Sequence, residues 1–243
     1  YLTEQPFSYN QIIDDKEGIK GLKLLNVPLL VLFKKAYGGI RETGDFARDN
    51  RISIEVNDKN AFYESDPLKR DTWVRTHHYC YEVVTPPLSE QAFCEFMQRD
   101  IEKYFPYQAA NEKRRRTVIC LERISDDNTT TGASGKYYAM YDSTTKKMNY
   151  CNVPASTLAS HLRFCAEKEG KIFIDNTGSA LISEVSLSYP FTNWQKAASE
   201  LQRFGYTMHE KSMEIDMLVI KDKPAIQDGQ KLSRIADLPN SGH

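Results

Sequence analysis

The chain has 243 residues, of which 40% are hydrophobic and 27% are charged, and its 32 lysines and arginines balance 33 aspartates and glutamates. This composition is ordinary for a folded globular protein, and the balanced charge argues against a dedicated nucleic-acid-binding protein. The most apolar run, 24–33, is interrupted by Asn26 and Pro28. It is also shorter than the roughly 20 residues of a membrane-spanning helix, so we expect no membrane span.

The chain starts at Tyr1, without an initiator methionine or a signal peptide. We therefore expect either a processed mature protein or a piece of a longer one.

The first half of the chain alternates the residue patterns of strands and helices. Apolar spacing predicts strands at 9–13, 18–25, 51–56, 77–84 and 118–121, and helices at about 28–38 and 90–105. Asn26 is expected to cap the first helix and Pro28 to occupy an early helical position. Pro86 and Pro87 are expected to end the fourth strand.

Two stretches of the first half lack a clear period. Residues 57–76 are polar and predict a surface insertion or long loop that carries Tyr63 and Trp73. The basic run 113–116 is interpreted as a solvated loop before a strand that is central in its sheet.

The second half repeats the alternation after a small, polar stretch, 126–135, which predicts a linker. The predicted elements are a hairpin at 136–149, a helix after Asn152-Val153-Pro154, a strand at 172–174, a tight turn at 175–178, a strand at 185–187, a helix from 194 to 204 and a strand at 217–220. Gly205 is expected to end the last helix. Residues 223–243 are polar and predict a weakly ordered tail.

Matched landmarks indicate an internal duplication. Asn-Val-Pro opens a helix at 26–28 and again at 152–154, and Phe-x-Tyr closes the second helix at 105–107 and at 204–206. In both halves an apolar strand begins thirteen positions after that phenylalanine. The sequence therefore predicts an α+β protein of two tandem related domains, 1–125 and 136–222, each with two helices on a small mixed sheet.

These residues resemble a bacterial domain family of unknown function. The shared positions are turn and cap residues: Asn152, Pro154, Asp175, Thr177, Gly178 and Gly205. Members of that family are envelope or secreted proteins, some fused to thioredoxin-like or metallopeptidase sensor modules. The second half also resembles the short N-terminal domain of secretins and TonB-dependent receptors. This chain departs from the family pattern at Ser179-Ala180-Leu181, after the turn.

The resemblance implies a non-catalytic module that binds a protein or small ligand of the cell envelope, located in the periplasm or outside the cell. It supplies no catalytic residues, and we expect no cofactor and no metal. Because aromatic residues concentrate in interfaces, Tyr63, Trp73, Tyr137, Tyr138 and Tyr141 are the predicted partner-facing residues. Binding of glycan or peptidoglycan between the two predicted domains is a further hypothesis.

The five cysteines allow a different hypothesis, a thiol-dependent redox accessory or enzyme. They form no CxxC pair, and buried, inert thiols are the simpler interpretation. Cys165 is the first candidate for a reactive thiol because His161 lies one helical turn before it. Cys80 is the second. His77, His78 and Cys80 supply metal-ligand types, but His77 is expected to point away from the other two in a strand.

Overall fold

The computed structural model describes residues 8–41, 46, 48–124, 137–178 and 181–224. The predicted linker 126–135, and the predicted tail apart from residues 223 and 224, lie outside the described residues. The described ranges contain five α-helices and ten β-strands, and the strands form three sheets. The fold is a mixture of helices and strands, which confirms the predicted α+β class.

The elements follow the predicted order with longer strands. The helices are α1 (Leu29–Gly38), α2 (Arg70–His77), α3 (Glu90–Tyr104), α4 (Ala155–Lys168) and α5 (Trp194–Leu201). The strands are β1 (Tyr9–Asp15), β2 (Gly18–Pro28), β3 (Ile52–Glu55), β4 (His78–Leu88), β5 (Tyr107–Arg123), β6 (Tyr138–Asp142), β7 (Lys147–Pro154), β8 (Ile172–Asn176), β9 (Leu181–Ser188) and β10 (Tyr206–Asp222).

Two of the sheets are three-stranded and antiparallel, with the orders β1-β2-β4 and β6-β7-β9. The third has the order β3-β10-β5-β8, and its β5 and β8 are parallel. β5 lies between two neighbours, as expected for a strand with four consecutive buried apolar residues, Val118, Ile119, Cys120 and Leu121.

The chain divides into two compact units. The first takes its described residues from 1–47, 54–110 and 218–243, and the second takes them from 48–53 and 111–217. The predicted boundaries at 125 and 136 therefore do not separate the units. β5 and β10 each contribute residues to both.

The second unit has one apolar core between two helices and the inner faces of its strands. Leu158, Leu162 and Cys165 of α4 are fully buried there, as the helical spacing predicts. Ile119 and Leu121 of β5 belong to the same core. The predicted closing strand of the first domain thus packs against the helices of the second half.

The first unit buries one face of α1 and one face of α3. Their buried apolar residues recur at helical spacing: Leu29, Leu32, Phe33 and Ala36 in α1, and Phe93, Met97 and Ile101 in α3. Ser89 caps α3, because its hydroxyl accepts the N–H of Ala92 at 3.2 Å.

Three local predictions are wrong. The basic run 113–116 lies inside β5, where every second residue is exposed, and not in a loop. Residues 70–77 of the predicted loop form α2, and His77 ends that helix, so it does not lie in the strand with His78. β4 continues through Pro86 and Pro87. It is an edge strand, where a missing N–H leaves no ladder bond unmade.

The two Asn-Val-Pro sequences open helices, although differently from the prediction. The N-cap residues are Pro28 and Pro154, and Asn26 and Asn152 lie two positions earlier, within the strands. Both asparagines have left-handed backbone angles, with φ of 56° and 54°. Asparagine is one of the few side chains that tolerates this conformation. It therefore bends the chain between strand and helix at both places.

Candidate binding surface

An exposed aromatic surface of the second unit lies on the hairpin formed by β6 and β7. The two strands are antiparallel, with Tyr138 opposite Cys151 and Tyr141 opposite Met148. Asp142 organises the turn, since its carboxylate accepts hydrogen bonds from the Thr145 hydroxyl at 2.7 Å and the Thr144 N–H at 2.9 Å. These donors lower the pKa of Asp142. The hairpin and turn predicted at 136–149 are therefore confirmed.

Tyr137, directly before β6, and Met140 of β6 project into solvent. Tyr137 is 69% exposed and Met140 is 62% exposed, whereas Tyr138 is half-buried. We call Tyr137, Tyr138, Met140 and Tyr141 the hairpin surface. Of the five aromatic residues predicted to face a partner, three lie on or directly before β6, where consecutive side chains alternate between the two faces of the strand.

Tyr141 extends this surface into a cluster with two residues that follow β9. Its ring centroid lies 5.1 Å from that of Tyr189, and the Tyr189 ring lies 5.4 Å from Phe191. The Tyr189 N–H donates to the Lys146 carbonyl at 2.9 Å, which ties the loop to the hairpin turn. We call Tyr141, Tyr189 and Phe191 the ring cluster.

The ring cluster offers contact area and hydroxyl groups. Tyr141 and Tyr189 remain 48% and 44% exposed, while Phe191 packs on the core. Neighbouring rings are inclined by 54° and 83°, so they form a notched surface and not a flat platform. Half-exposed tyrosines held in place by packing are typical of protein interfaces, because they present apolar area at a low cost in conformational entropy.

Tyr150 of β7 and His161 of α4 form a titratable pair with a structural role. The Tyr150 hydroxyl is 2.8 Å from His161 Nδ1, and burial raises the pKa of this tyrosine. Tyr150 belongs to the second unit's core. The bond satisfies a polar atom that would otherwise be buried alone.

Sequence reasoning missed Tyr189 and Phe191. They flank Pro190, and Phe191 lies two positions before Asn193, which caps α5. Aromatic residues around a proline between a strand and a helix were the available signal. The contact with Tyr141 depends on the pairing of β6, β7 and β9, which residue spacing does not reveal.

The other two predicted partner-facing residues belong to the first unit. Tyr63 is half exposed. The structure does not place Trp73 on a partner-facing surface: it is 9% exposed, its indole N–H donates to the Asn60 carbonyl, and its ring stacks on His77 at 5.3 Å. Trp73 thus anchors α2.

The candidate reactive thiols lie in protected places. Cys165 is fully buried, its Sγ donates to the Leu162 carbonyl at 2.8 Å, and burial raises its pKa to about 11. Its predicted partner, His161, contacts Tyr150. Cys80 is half-buried in β4 and, like the other four cysteines, forms no disulfide.

The predicted turn residues act locally. Asp175 Oδ1 accepts the N–H of Thr177 at 3.0 Å and its hydroxyl at 2.7 Å. Gly178 and Gly205 supply positive φ of 73° and 78°, and Gly205 ends the 3₁₀ turn after α5. These residues shape the backbone.

A polar cluster on β5, β8 and β10 centres on Glu122. Its carboxylate accepts hydrogen bonds from Lys211 Nζ at 2.8 Å and from Asn176 Nδ2 at 3.2 Å. The Cys120 thiol donates to the same oxygen at 3.3 Å. These bonds, that of Lys211 above all, lower the pKa of Glu122 to about 2. Burial and this carboxylate raise the pKa of Cys120 to about 11, so the cluster holds a satisfied carboxylate beside a protonated thiol.

Within the described ranges, no group of three or more histidine, cysteine, aspartate or glutamate side chains is arranged to hold a metal ion. Over the same part of the chain, no helix is both long and apolar enough to cross a bilayer. No family model, no curated protein and no solved structure matches the chain.

Proposed function

We propose that this chain is a non-catalytic binding module of the cell envelope and that it contacts a protein partner through the ring cluster. The observation that carries the proposal is the cluster itself. Two tyrosines remain nearly half exposed although their rings are held in place by each other and by Phe191. Rings positioned in advance lose little conformational freedom when a partner covers them.

The surroundings of Cys165 and Cys120 do not favour thiol catalysis. A reactive cysteine needs a thiolate near neutral pH. Burial, by contrast, raises the pKa of Cys165 and that of Cys120, each to about 11, and both thiols donate hydrogen bonds to oxygen atoms. The alternative of a redox accessory therefore receives no support from Cys165, its first candidate thiol.

The proposed architecture is a tandem duplication. The order strand, strand, helix, strand, strand, helix, long strand occurs from β1 to β5, with α2 inserted, and again from β6 to β10. Asn26 and Asn152 have nearly equal positive φ. The hydrogen bond from the Ile124 N–H to the Gly205 carbonyl also has a counterpart 99 positions away, from the Lys223 N–H to the Pro106 carbonyl.

Photo-crosslinking in cells of the source organism tests the binding surface. A benzophenone amino acid replaces Tyr141 or Tyr189 in two separate variants, and Tyr104, which is exposed on α3 of the first unit, is replaced in a matched control. We expect one discrete protein adduct of the same mass from positions 141 and 189, and none from position 104.

A second arm asks whether the rings themselves provide the binding energy. Replacing Tyr189 with serine should remove the adduct formed at position 141, whereas Tyr104→Ser should leave it unchanged. The proposal is rejected if positions 141 and 189 give no adduct, if position 104 gives the same one, or if Tyr189→Ser has no effect while the protein stays folded.

A further inference from the structure

The free edges of the two three-stranded sheets differ in how they are protected against pairing with another strand. An edge strand presents a row of unpaired N–H and C=O groups, and proteins normally block it with charges, prolines, bulges or covering side chains. The four edges are β1 and β4 in one sheet, and β6 and β9 in the other.

Three of the edges carry such protection. β1 has a register shift between Ile13 and Asp14 and ends in two aspartates. β4 contains consecutive prolines at 86 and 87. On β9, side chains from the following helical segment form hydrogen bonds with backbone groups. Arg203 donates to the Ser186 carbonyl at 2.9 Å, and Glu200 accepts the Ser188 N–H at 2.7 Å.

As far as the described residues show, β6 has none of these devices. Its sequence, Tyr-Ala-Met-Tyr-Asp, contains no proline and no basic residue, and its pairing with β7 runs from Tyr138 to Asp142 without a register shift. Asp142, its one charged residue, stands at the end, where its carboxylate accepts hydrogen bonds from the turn. Among the residues that the structure describes, β7 is the only strand paired with β6.

We propose that the outer edge of β6 pairs with the β6 strand of a second copy of this chain, antiparallel and centred on Met140, to form a continuous six-stranded sheet. This inference goes beyond the proposed function, because it concerns the backbone edge and holds whether or not the ring cluster binds another protein.

The sequence of β6 is complementary to itself in this register. Met140 lies opposite its own copy, and Ala139 lies opposite Tyr141, so that a small side chain faces each large ring. Tyr138 lies opposite Asp142. No two like charges face each other, and directly opposite side chains are the pairs that matter most for the stability of antiparallel strands.

The dimer should be weak, because a five-residue strand contributes little area compared with a stable interface of about 1,600 Å². Sedimentation of the whole chain from about 10 μM to about 1 mM covers the corresponding affinity range. Met140→Lys places two like charges opposite each other and should weaken dimerisation at least tenfold. The matched control is Val84→Lys, on the proline-protected edge strand β4, where Val84 is 75% exposed.

Thiol crosslinking locates the centre of the dimer independently of the lysine variant. Opposite residues of antiparallel strands have Cα atoms at a distance that a disulfide spans. Under an oxidising glutathione buffer, Met140→Cys should therefore give a covalent dimer, whereas Val84→Cys should not. The native cysteines are common to both variants.

Each outcome decides the matter. A wild-type protein that stays monomeric over the whole range overturns the proposal. So does a dimer that survives Met140→Lys, or one that Val84→Lys also abolishes. Should Met140→Lys fail to fold, as judged by circular dichroism, the crosslink at position 140 gives the answer, and its absence rejects the register.

Discussion

Two similar apolar stretches, 118–121 in β5 and 217–220 in β10, enter different cores. Ile119 and Leu121 pack with α4 and α5 in the second unit, whereas Leu218 and Ile220 are buried in the first unit. Each stretch follows, in sequence, the helices of the other unit. The comparison shows that four buried residues in a row identify a central strand but contain no information about which helices will cover it.

The largest effect should come from truncating one buried side chain in each strand. Leu121→Ala and Ile220→Ala each remove a fully buried aliphatic side chain and should each lower the free energy of unfolding by about 2–5 kcal/mol. Leu121→Ala should increase hydrogen exchange first in α4 and α5, and Ile220→Ala should do so in α1 and α3. Hydrogen-exchange mass spectrometry of both variants measures the difference.

If Leu121→Ala instead increased exchange first in α1 and α3, and Ile220→Ala in α4 and α5, each strand would stabilise the helices that precede it in sequence. Val84→Ala serves as the control, because its side chain is mostly exposed. It should change neither the stability nor the exchange pattern by a measurable amount.

The element types were predictable because their patterns are local. α1, α3 and α4 have apolar residues at helical spacing, and the predicted turn at Asp175 and Gly178 has the hydrogen bonds and positive φ that such a turn requires. α2 was not predictable, because a single residue, Trp73, is buried in its eight-residue polar sequence. One buried residue defines no period.

The candidate binding surface was only half predictable. Tyr141 stands in a recognisable hairpin, but Tyr189 reaches it from 48 positions away, through the pairing of β6, β7 and β9. The way in which β5 and β10 are shared between the two units was not predictable either. Both are consequences of long-range pairing, and neither spacing nor propensity specifies which strands become neighbours.

A smaller effect is expected at the two bends before α1 and α4. Asn26→Val and Asn152→Val place a β-branched side chain at positive φ, which costs about 1–3 kcal/mol. Asn26→Gly and Asn152→Gly keep the backbone conformation accessible. The valine variant should therefore be less stable than the glycine variant at both positions, as measured by urea denaturation.

Both variants lack the asparagine side chain. The difference in stability between the valine and glycine variants at one position therefore measures the backbone cost alone. If the two bends are equivalent, this difference should be similar at 26 and 152. A large difference at one position and none at the other would contradict their equivalence.

The smallest effect on stability is expected where two backbone hydrogen bonds occupy corresponding positions in the two halves of the chain. The Lys223 and Ile124 N–H groups each donate to a carbonyl that follows a helix, at 2.9 Å. Only Lys223 also uses its side chain: Nζ donates to the carbonyls of Glu102 and Phe105 and so satisfies the C-terminal end of α3. Lys223→Met should therefore destabilise the first unit by about 1 kcal/mol.

The matched control, Ile124→Met, changes a half-exposed side chain and leaves the backbone bond in place, so it should be nearly neutral. Urea denaturation gives the size of both effects, and hydrogen exchange at the end of α3 gives the location. Added salt should reduce the Lys223 effect, because part of it is the attraction between a cation and the helix dipole. Equal stabilities of the two variants would show that the Lys223 side chain contributes nothing beyond the backbone hydrogen bond, and the two strand ends would then be equivalent in energy as well as in geometry.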